Sequence, residues 1–240
     1  MLSFRLLGIP VSIGPAIVAG LLVLGLLSRF SQFFLVAWVV LGIVALLAHE
    51  LGHALVFRRF AVPSSIRFFL LGGLTVAEDG AAAERLSETR QALVALAGPA
   101  VSMAIGFASL AVFLVVDRFT VNAPFGLRGI AFLWLFVNLG WGVFNLIPIA
   151  SLDGGQALRH LLGAVLPGRA GVALGVAANL LAAALLAAIA LKVGQPYVAF
   201  IAIVFGLVNP ALYLELADAL DPSRARRREA RRPDAPIPPQ

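Results

Sequence analysis

The 240-residue chain has no cysteine, only three histidines, and few charges, with Asp, Glu, Lys and Arg making up 12% of it. The missing cysteines exclude a secreted disulfide framework. The scarcity of charge goes with an excess of apolar residues, at 61%. A soluble domain usually carries about 45–50% apolar and about 25% charged residues. With a mean hydropathy of +0.99, a water-soluble globular enzyme is excluded, and the apolar runs leave no room for a large soluble domain. The net charge of +6 and pI of 11.2 raise the question of nucleic acid. Six of the 18 basic residues, however, lie in the last 17 positions, outside the apolar part. Basic clusters beside apolar runs mark a membrane face instead. The sequence is that of an integral membrane protein whose surroundings are a lipid bilayer, with no nucleic-acid partner.

A membrane-spanning helix needs about 20 apolar residues to cross a ~30 Å hydrocarbon core. On that measure six spans are expected, near Ile9–Leu27, Phe33–Phe57, Ala92–Val116, Gly129–Ile147, Gly171–Leu191 and Pro196–Leu216. Frequent Gly and Ala within them allow close helix approach. The first run follows a short segment with one Arg, as a signal peptide would. Ser28-Arg29-Phe30 is a poor cleavage site, so this span is expected to be retained. Basic residues set the orientation. With the N-terminus inside, 14 Lys and Arg fall on the cytoplasmic side and four on the other, which puts both termini in the cytoplasm.

Two regions are not simple spans. Residues 64–78 are too short to cross and too apolar for an ordinary loop, and Gly72-Gly73 between two strand-like runs reads as a hairpin turn. A re-entrant segment is the alternative. The tail from Asp221 to Gln240 mixes Arg, acidic residues and Pro with almost no large apolar side chain, so disorder is expected. The expected fold class is an all-α polytopic membrane protein of about six helices with a short membrane-associated β-hairpin or re-entrant segment. Its domains are a membrane domain over 1–220 and a basic, proline-containing tail over 221–240.

Ionisable residues inside a membrane span are costly and mark function by default. The second span holds three of them in His49-Glu50-Leu51-Gly52-His53. Positions i and i+4 share one helix face, so both imidazoles can meet one zinc ion. The intervening Glu then stands beside the same point, ready to accept a proton from an attacking water. With three His and six Glu in the chain, chance would yield roughly 0.001 such matches. Polar residues satisfied by neighbours in a bundle are the plain alternative, and that frequency disfavours it.

A catalytic zinc takes three protein ligands, so a third must come from elsewhere. His160 is the only other histidine and stands beside Arg159 in an expected cytoplasmic loop. Among carboxylates Asp153 stands out, in Asn145-Leu146-Ile147-Pro148-Ile149-Ala150-Ser151-Leu152-Asp153-Gly154-Gly155. Pro148 interrupts a helix there, and the glycines allow a sharp turn. Such a stretch is tolerated at membrane depth where it lines a cavity. A solvated turn residue is the competing reading of Asp153.

These motifs, His49-Glu50-Leu51-Gly52-His53 followed by Asn145-x-x-Pro148 and Leu152-Asp153-Gly154-Gly155, resemble the site-2 protease family of intramembrane zinc metalloproteases. The resemblance implies that His49, His53 and Asp153 hold one zinc ion per chain, that Glu50 is the general base and that Asn145 positions the substrate. It further implies peptide-bond hydrolysis in or near transmembrane segments of membrane-anchored proteins, as in regulated intramembrane proteolysis, in a bacterial or archaeal cell membrane. Ala97-Gly98-Pro99 is similar to a small-residue segment of the family, and equally reads as close packing beside a helix-start proline. Leu146 departs from the family, which often has a second proline there. No stretch is long enough for an inserted PDZ domain or a CBS pair, so a minimal form is expected. Two rivals are a metal transporter, which would need more polar residues along the spans, and an inactive relative, against which the intact Glu50 argues.

Overall fold

The structure is a computed structural model that describes residues 1–70, 72–119, 125–166, 168–207 and 216. It divides into two units, Met1–Leu146 and Ile147–Gln240.

The first unit begins with a β-hairpin, not a helix. Strands β1 (Leu2–Leu6) and β2 (Ile9–Ile13) pair antiparallel across Leu7-Gly8. Both turn residues have positive φ, 51° and 83°, as the tightest two-residue hairpin turn requires. Helix α1 (Pro15–Leu27) follows, opened by a proline in its first turn, where the missing N–H costs nothing. The first expected span is therefore a five-residue strand and a 13-residue helix. Apolar length alone cannot separate a core strand from the start of a helix.

Helix α2 (Gln32–Arg59) is 28 residues long and ends on Arg58 and Arg59, whose charges suit a helix C-terminus. Its buried positions include Gly42, Ala45, Leu46, His49, Glu50 and His53. That three-and-four spacing is one stripe facing the unit's interior, while Val36, Val40 and Val44 point outward. Strands β3 (Ser64–Phe69) and β4 (Gly72–Ala77) form the expected hairpin, and β3 also pairs parallel with β2. The result is a four-stranded sheet in the order β1-β2-β3-β4, with β4 at one edge. Val11, Ile66 and Phe68 of the sheet pack with Ile17 and Leu21 of α1 and Leu46 and Ala54 of α2.

The turn of the second hairpin does not fall on Gly72-Gly73. Phe69 pairs with Gly72 and Phe68 with Gly73, so both glycines lie in the strand. A short helix α3 (Gly80–Glu84), capped by the Asp79 carboxylate accepting from the Ala82 N–H, leads into α4 (Glu88–Phe119). Pro99 lies inside α4 and not at its start, because the helix begins four residues before the apolar run that signals it. Helix α5 (Phe125–Asn145) completes the unit and packs on α4 and α2.

The second unit contains α6 (Asp153–Val165), α7 (Arg169–Lys192) and α8 (Pro196–Leu207). Asn179 of α7 is 1% exposed and ties the unit together. Its Oδ1 accepts from the Ala150 N–H at 2.8 Å, and its Nδ2 donates to the Gly206 carbonyl at 2.8 Å. The segment leading to Asp153 is thereby anchored to α7 and α8. His160, expected in a loop, is buried on α6, an amphipathic helix whose apolar face the Arg159-His160 pair disguises in sequence.

Four helices are long and apolar enough to cross a membrane: Gln32–Arg59, Glu88–Val115, Gly126–Asn145 and Arg169–Lys192. The chain is an integral membrane protein, mostly helical with a small sheet. Six full spans are not all found among the described residues: α1 is 13 residues long, and α8 is described as far as Leu207. At 1.5 Å per residue α1 reaches only about 20 Å. The rest of the sixth expected span, 208–215, and the tail 221–240 lie outside the described residues.

Candidate metal centre

The buried stripe of α2 carries the site, with His49, Glu50 and His53 at 2%, 5% and 6% exposure. One turn apart, the two imidazoles bring their Nε2 atoms to 3.3 Å. Each ring is fixed through its other nitrogen. His53 Nδ1 donates to the Val94 carbonyl at 2.7 Å, which leaves its Nε2 as a lone pair. His49 Nδ1 meets the Ser102 hydroxyl at 3.0 Å, and Ser102 itself is 1% exposed. Both partners stand on α4. Holding one ring nitrogen to fix the other is how metal-ligating histidines are oriented.

The geometry fits a metal. Two nitrogens about 2.0–2.1 Å from a tetrahedral zinc stand about 3.3–3.4 Å apart, and these two do so already. The backbone of α4 leaves the space beside them open. A Cβ on Gly98 would collide with His53 Nε2 and lie 2.7 Å from His49 Nε2. Gly52 makes the converse approach, since a Cβ there would sit 2.7 Å from the Ala97 carbonyl oxygen. Ala97-Gly98 is thus the surface against which the metal-binding helix rests.

Glu50 faces strand β4. The Thr75 hydroxyl lies 2.8 Å from Glu50 Oε2 and 2.9 Å from the Glu50 carbonyl oxygen. Trp141 of α5 packs edge-on to His49, with ring centroids 6.4 Å apart. Asn145, the last residue of α5, is buried and donates through Nδ2 to the Trp141 carbonyl at 3.0 Å. Asp153 is the first residue of α6 in the second unit and is half-buried. Gly154 and Gly155 do not make a turn but lie within the first turn of that helix. A Cβ on Gly155 would run into the Ile149 carbonyl, which explains the glycine by close packing.

Sequence reading misses Ser102, Thr75 and Asn179. Each is a lone hydroxyl or amide in an apolar element, where a buried polar group needs a partner.

The fold is that of a site-2 protease. The solved site-2 protease from Methanocaldococcus jannaschii superposes with a TM-score of 0.57 over 90% of this chain and 95% of that one, at 22% identity. The chain is also similar in sequence to proteins named as zinc metalloproteases. Rip3 of Mycobacterium tuberculosis, whose name is provisional, is 40% identical over 126 residues, 51% of this chain and 30% of that protein. A zinc metalloprotease of Methanocaldococcus jannaschii is 29% identical over 163 residues, 66% of this chain and 44% of that one. A provisionally named zinc metalloprotease of Synechocystis is 36% identical over 174 residues, covering 65% and 42%. The chain therefore spans under half the length of the curated relatives it matches. No family model matches it. The resemblance carried by the motifs is matched by sequence relatives named as zinc metalloproteases and by the fold of a site-2 protease.

Proposed function

We propose that the chain is a zinc-dependent intramembrane endopeptidase that hydrolyses peptide bonds in or near membrane-spanning segments of anchored proteins. The observation that carries this reading is the His49–His53 pair, pre-set at a tetrahedral edge with a buried carboxylate between them in sequence. His49 and His53 hold the metal, and Asp153 is the third ligand on the strength of the Leu152-Asp153-Gly154-Gly155 motif. Zinc, when bound, supplies a Lewis acid that lowers the pKa of water and polarises a carbonyl.

Glu50 accepts the proton of the attacking water and delivers it to the departing amine. The Nδ1 contacts to Val94 and Ser102 keep both imidazoles from turning during this exchange. A helical substrate hides its carbonyls in its own hydrogen bonds and must unwind before attack. Strand β4 is the edge of the sheet and runs past Glu50, so an unwound segment pairs with its open side. Asn145, at the end of α5, steadies the substrate backbone near the metal.

The orientation proposed is both termini in the cytoplasm. The parallel pairing of β2 with β3, and the Arg58 guanidinium donating to the Leu7 carbonyl at 2.9 Å, support putting the N-terminus and the 58–91 region on one side. The test compares membrane-protein fragments in cells carrying wild-type or Glu50→Gln protein. Fragments that vanish with Glu50→Gln are expected, and identical fragment patterns overturn the reading.

A further inference from the structure

Thr75 is the single polar side chain of β4, a strand that reads Gly-Gly-Leu-Thr-Val-Ala. We propose that Thr75 is a positioning residue for Glu50, its hydroxyl fixing the carboxylate in the attitude proton transfer needs. The inference rests on the reading of Glu50 as general base. It adds a residue from outside the metal-binding helix, 25 positions further along the chain.

A glutamate has three rotatable bonds, so a rigid helix fixes its Cα and leaves its carboxylate loose. A working base must be held within about 0.5 Å and 10–20°. Strand β4 provides that restraint from two sides. Gly73 and Thr75 are two residues apart and so share one face of the strand. Gly73 lacks the Cβ that would lie 2.8 Å from Glu50 Oε1, and Thr75 binds Oε2 at 2.8 Å. The first leaves room for one oxygen, and the second holds the other.

The two acceptors within reach of Thr75 suit the two forms a base passes through. A hydroxyl has one proton to give and can also accept. With Glu50 ionised, that proton goes to Oε2, because a bond to a charged acceptor is the stronger. With Glu50 carrying the transferred proton, its own O–H donates to Thr75 Oγ1. The threonine proton then turns to the Glu50 carbonyl, 2.9 Å away. The carboxyl keeps one position before and after proton transfer.

A purely structural Thr75 would use its hydroxyl to hold β4 on α2 through the Glu50 carbonyl, with no effect on the carboxylate. The full chain, purified in detergent and loaded with zinc, distinguishes the two as wild type, Thr75→Val, Thr75→Ser and Glu50→Gln. Infrared difference spectra between each Thr75 form and the same form carrying Glu50→Gln isolate the Glu50 carboxylate, and this arm needs no substrate. Cleavage is followed on a tagged single-span model protein with a Leu/Ala-rich membrane segment. Thr75→Val is expected to move the carboxylate band and to lower kcat about 10- to 100-fold, the usual effect of losing an outer hydrogen-bond partner. KM, zinc content and melting temperature should stay at wild-type values, and Thr75→Ser should restore both band and kcat. An unmoved band in Thr75→Val overturns the proposal, as does a loss confined to melting temperature, zinc content or KM. If Glu50→Gln cleaves as wild type does, the general-base reading fails instead. The spectrum then decides by itself whether Thr75 holds the carboxylate.

Discussion

Gly73 of β4 stands where the Glu50 side chain needs space: a Cβ on it would lie 2.8 Å from both Cδ and Oε1 of Glu50. Gly72, beside it, is under no such constraint, since its Cβ would meet only the Trp141 ring at 3.5 Å, an ordinary contact. Gly73→Ala must therefore displace the carboxylate or lift the strand, at a typical overpacking cost of about 1–3 kcal/mol. Proteolysis by Gly73→Ala should fall at least about tenfold, the equivalent of roughly 1.4 kcal/mol. Gly72→Ala should remain near wild type. Equal activity of the two variants would show that the strand does not abut Glu50 as described.

Gly98 gives a parallel test on the metal side. Its Cβ would collide with His53 Nε2, so Gly98→Ala must push one imidazole out of register with the other. Zinc content after dialysis is expected to drop well below one per chain. Gly140→Ala, where nothing lies within 4 Å of the added atom, should retain full zinc. Retention of zinc by Gly98→Ala would mean that α4 yields, and that the close approach is not needed for the site.

The local part of this architecture is legible in the sequence and the long-range part is not. His49 and His53 are four apart on one helix, so their meeting follows from helix geometry alone. The long spans follow from apolar length. The errors arise where apolar residues serve a different element. Ile9–Ile13 looks like the start of a membrane helix, yet it pairs with Leu2–Leu6 and with β3. Gly72-Gly73 carries the composition of a turn, but the requirement for glycine at 73 comes from Glu50, more than 20 residues away in sequence. Ser102 lies 53 residues from the histidine it steadies. No local pattern encodes such a partner, and only the unexpected hydroxyl hints at one.

Asn179 joins the 147–152 segment to α8 through two hydrogen bonds inside an apolar helix. Asn179→Leu removes both and leaves the Ala150 N–H and Gly206 carbonyl without this partner. Each lost hydrogen bond costs about 0.5–1.5 kcal/mol net, so the melting temperature should fall. If Asp153 is a ligand, zinc affinity should fall with it, because the segment before Asp153 loses its anchor. His160→Ala is also expected to destabilise, since His160 is 6% exposed on α6. A melting temperature unchanged in Asn179→Leu would show that these bonds contribute nothing net.

The absence of cysteine makes single-cysteine labelling clean. Ser3 and Glu84 are exposed, and Arg29 is exposed at the turn between α1 and α2. The parallel β2–β3 pairing puts β1, β2 and the region after α2 at one end of the α1–α2 pair. Cysteines at Ser3 and Glu84 should react from the same side with a membrane-impermeant maleimide, and one at Arg29 from the other. The basic-residue bias makes the first side cytoplasmic. Reaction of Ser3 and Glu84 from opposite sides would overturn the proposed topology and with it the side from which water reaches the site.

Metal binding and proteolysis should separate by residue. Glu50→Gln keeps the side-chain volume and can still meet Thr75, but it cannot accept a proton as a base. Glu50 is not a proposed ligand, so this variant should bind zinc near one per chain, melt as wild type does and cleave almost nothing. Asp153→Ala removes one of the three proposed ligands, so zinc affinity and activity should fall together. A chelator should mimic Asp153→Ala in the wild type, and added zinc should reverse it. Full zinc binding by Asp153→Ala would place the third ligand elsewhere and reduce Asp153 to the first residue of α6. Wild-type cleavage by Glu50→Gln would remove the basis for a water-activating carboxylate, whatever the motif resembles.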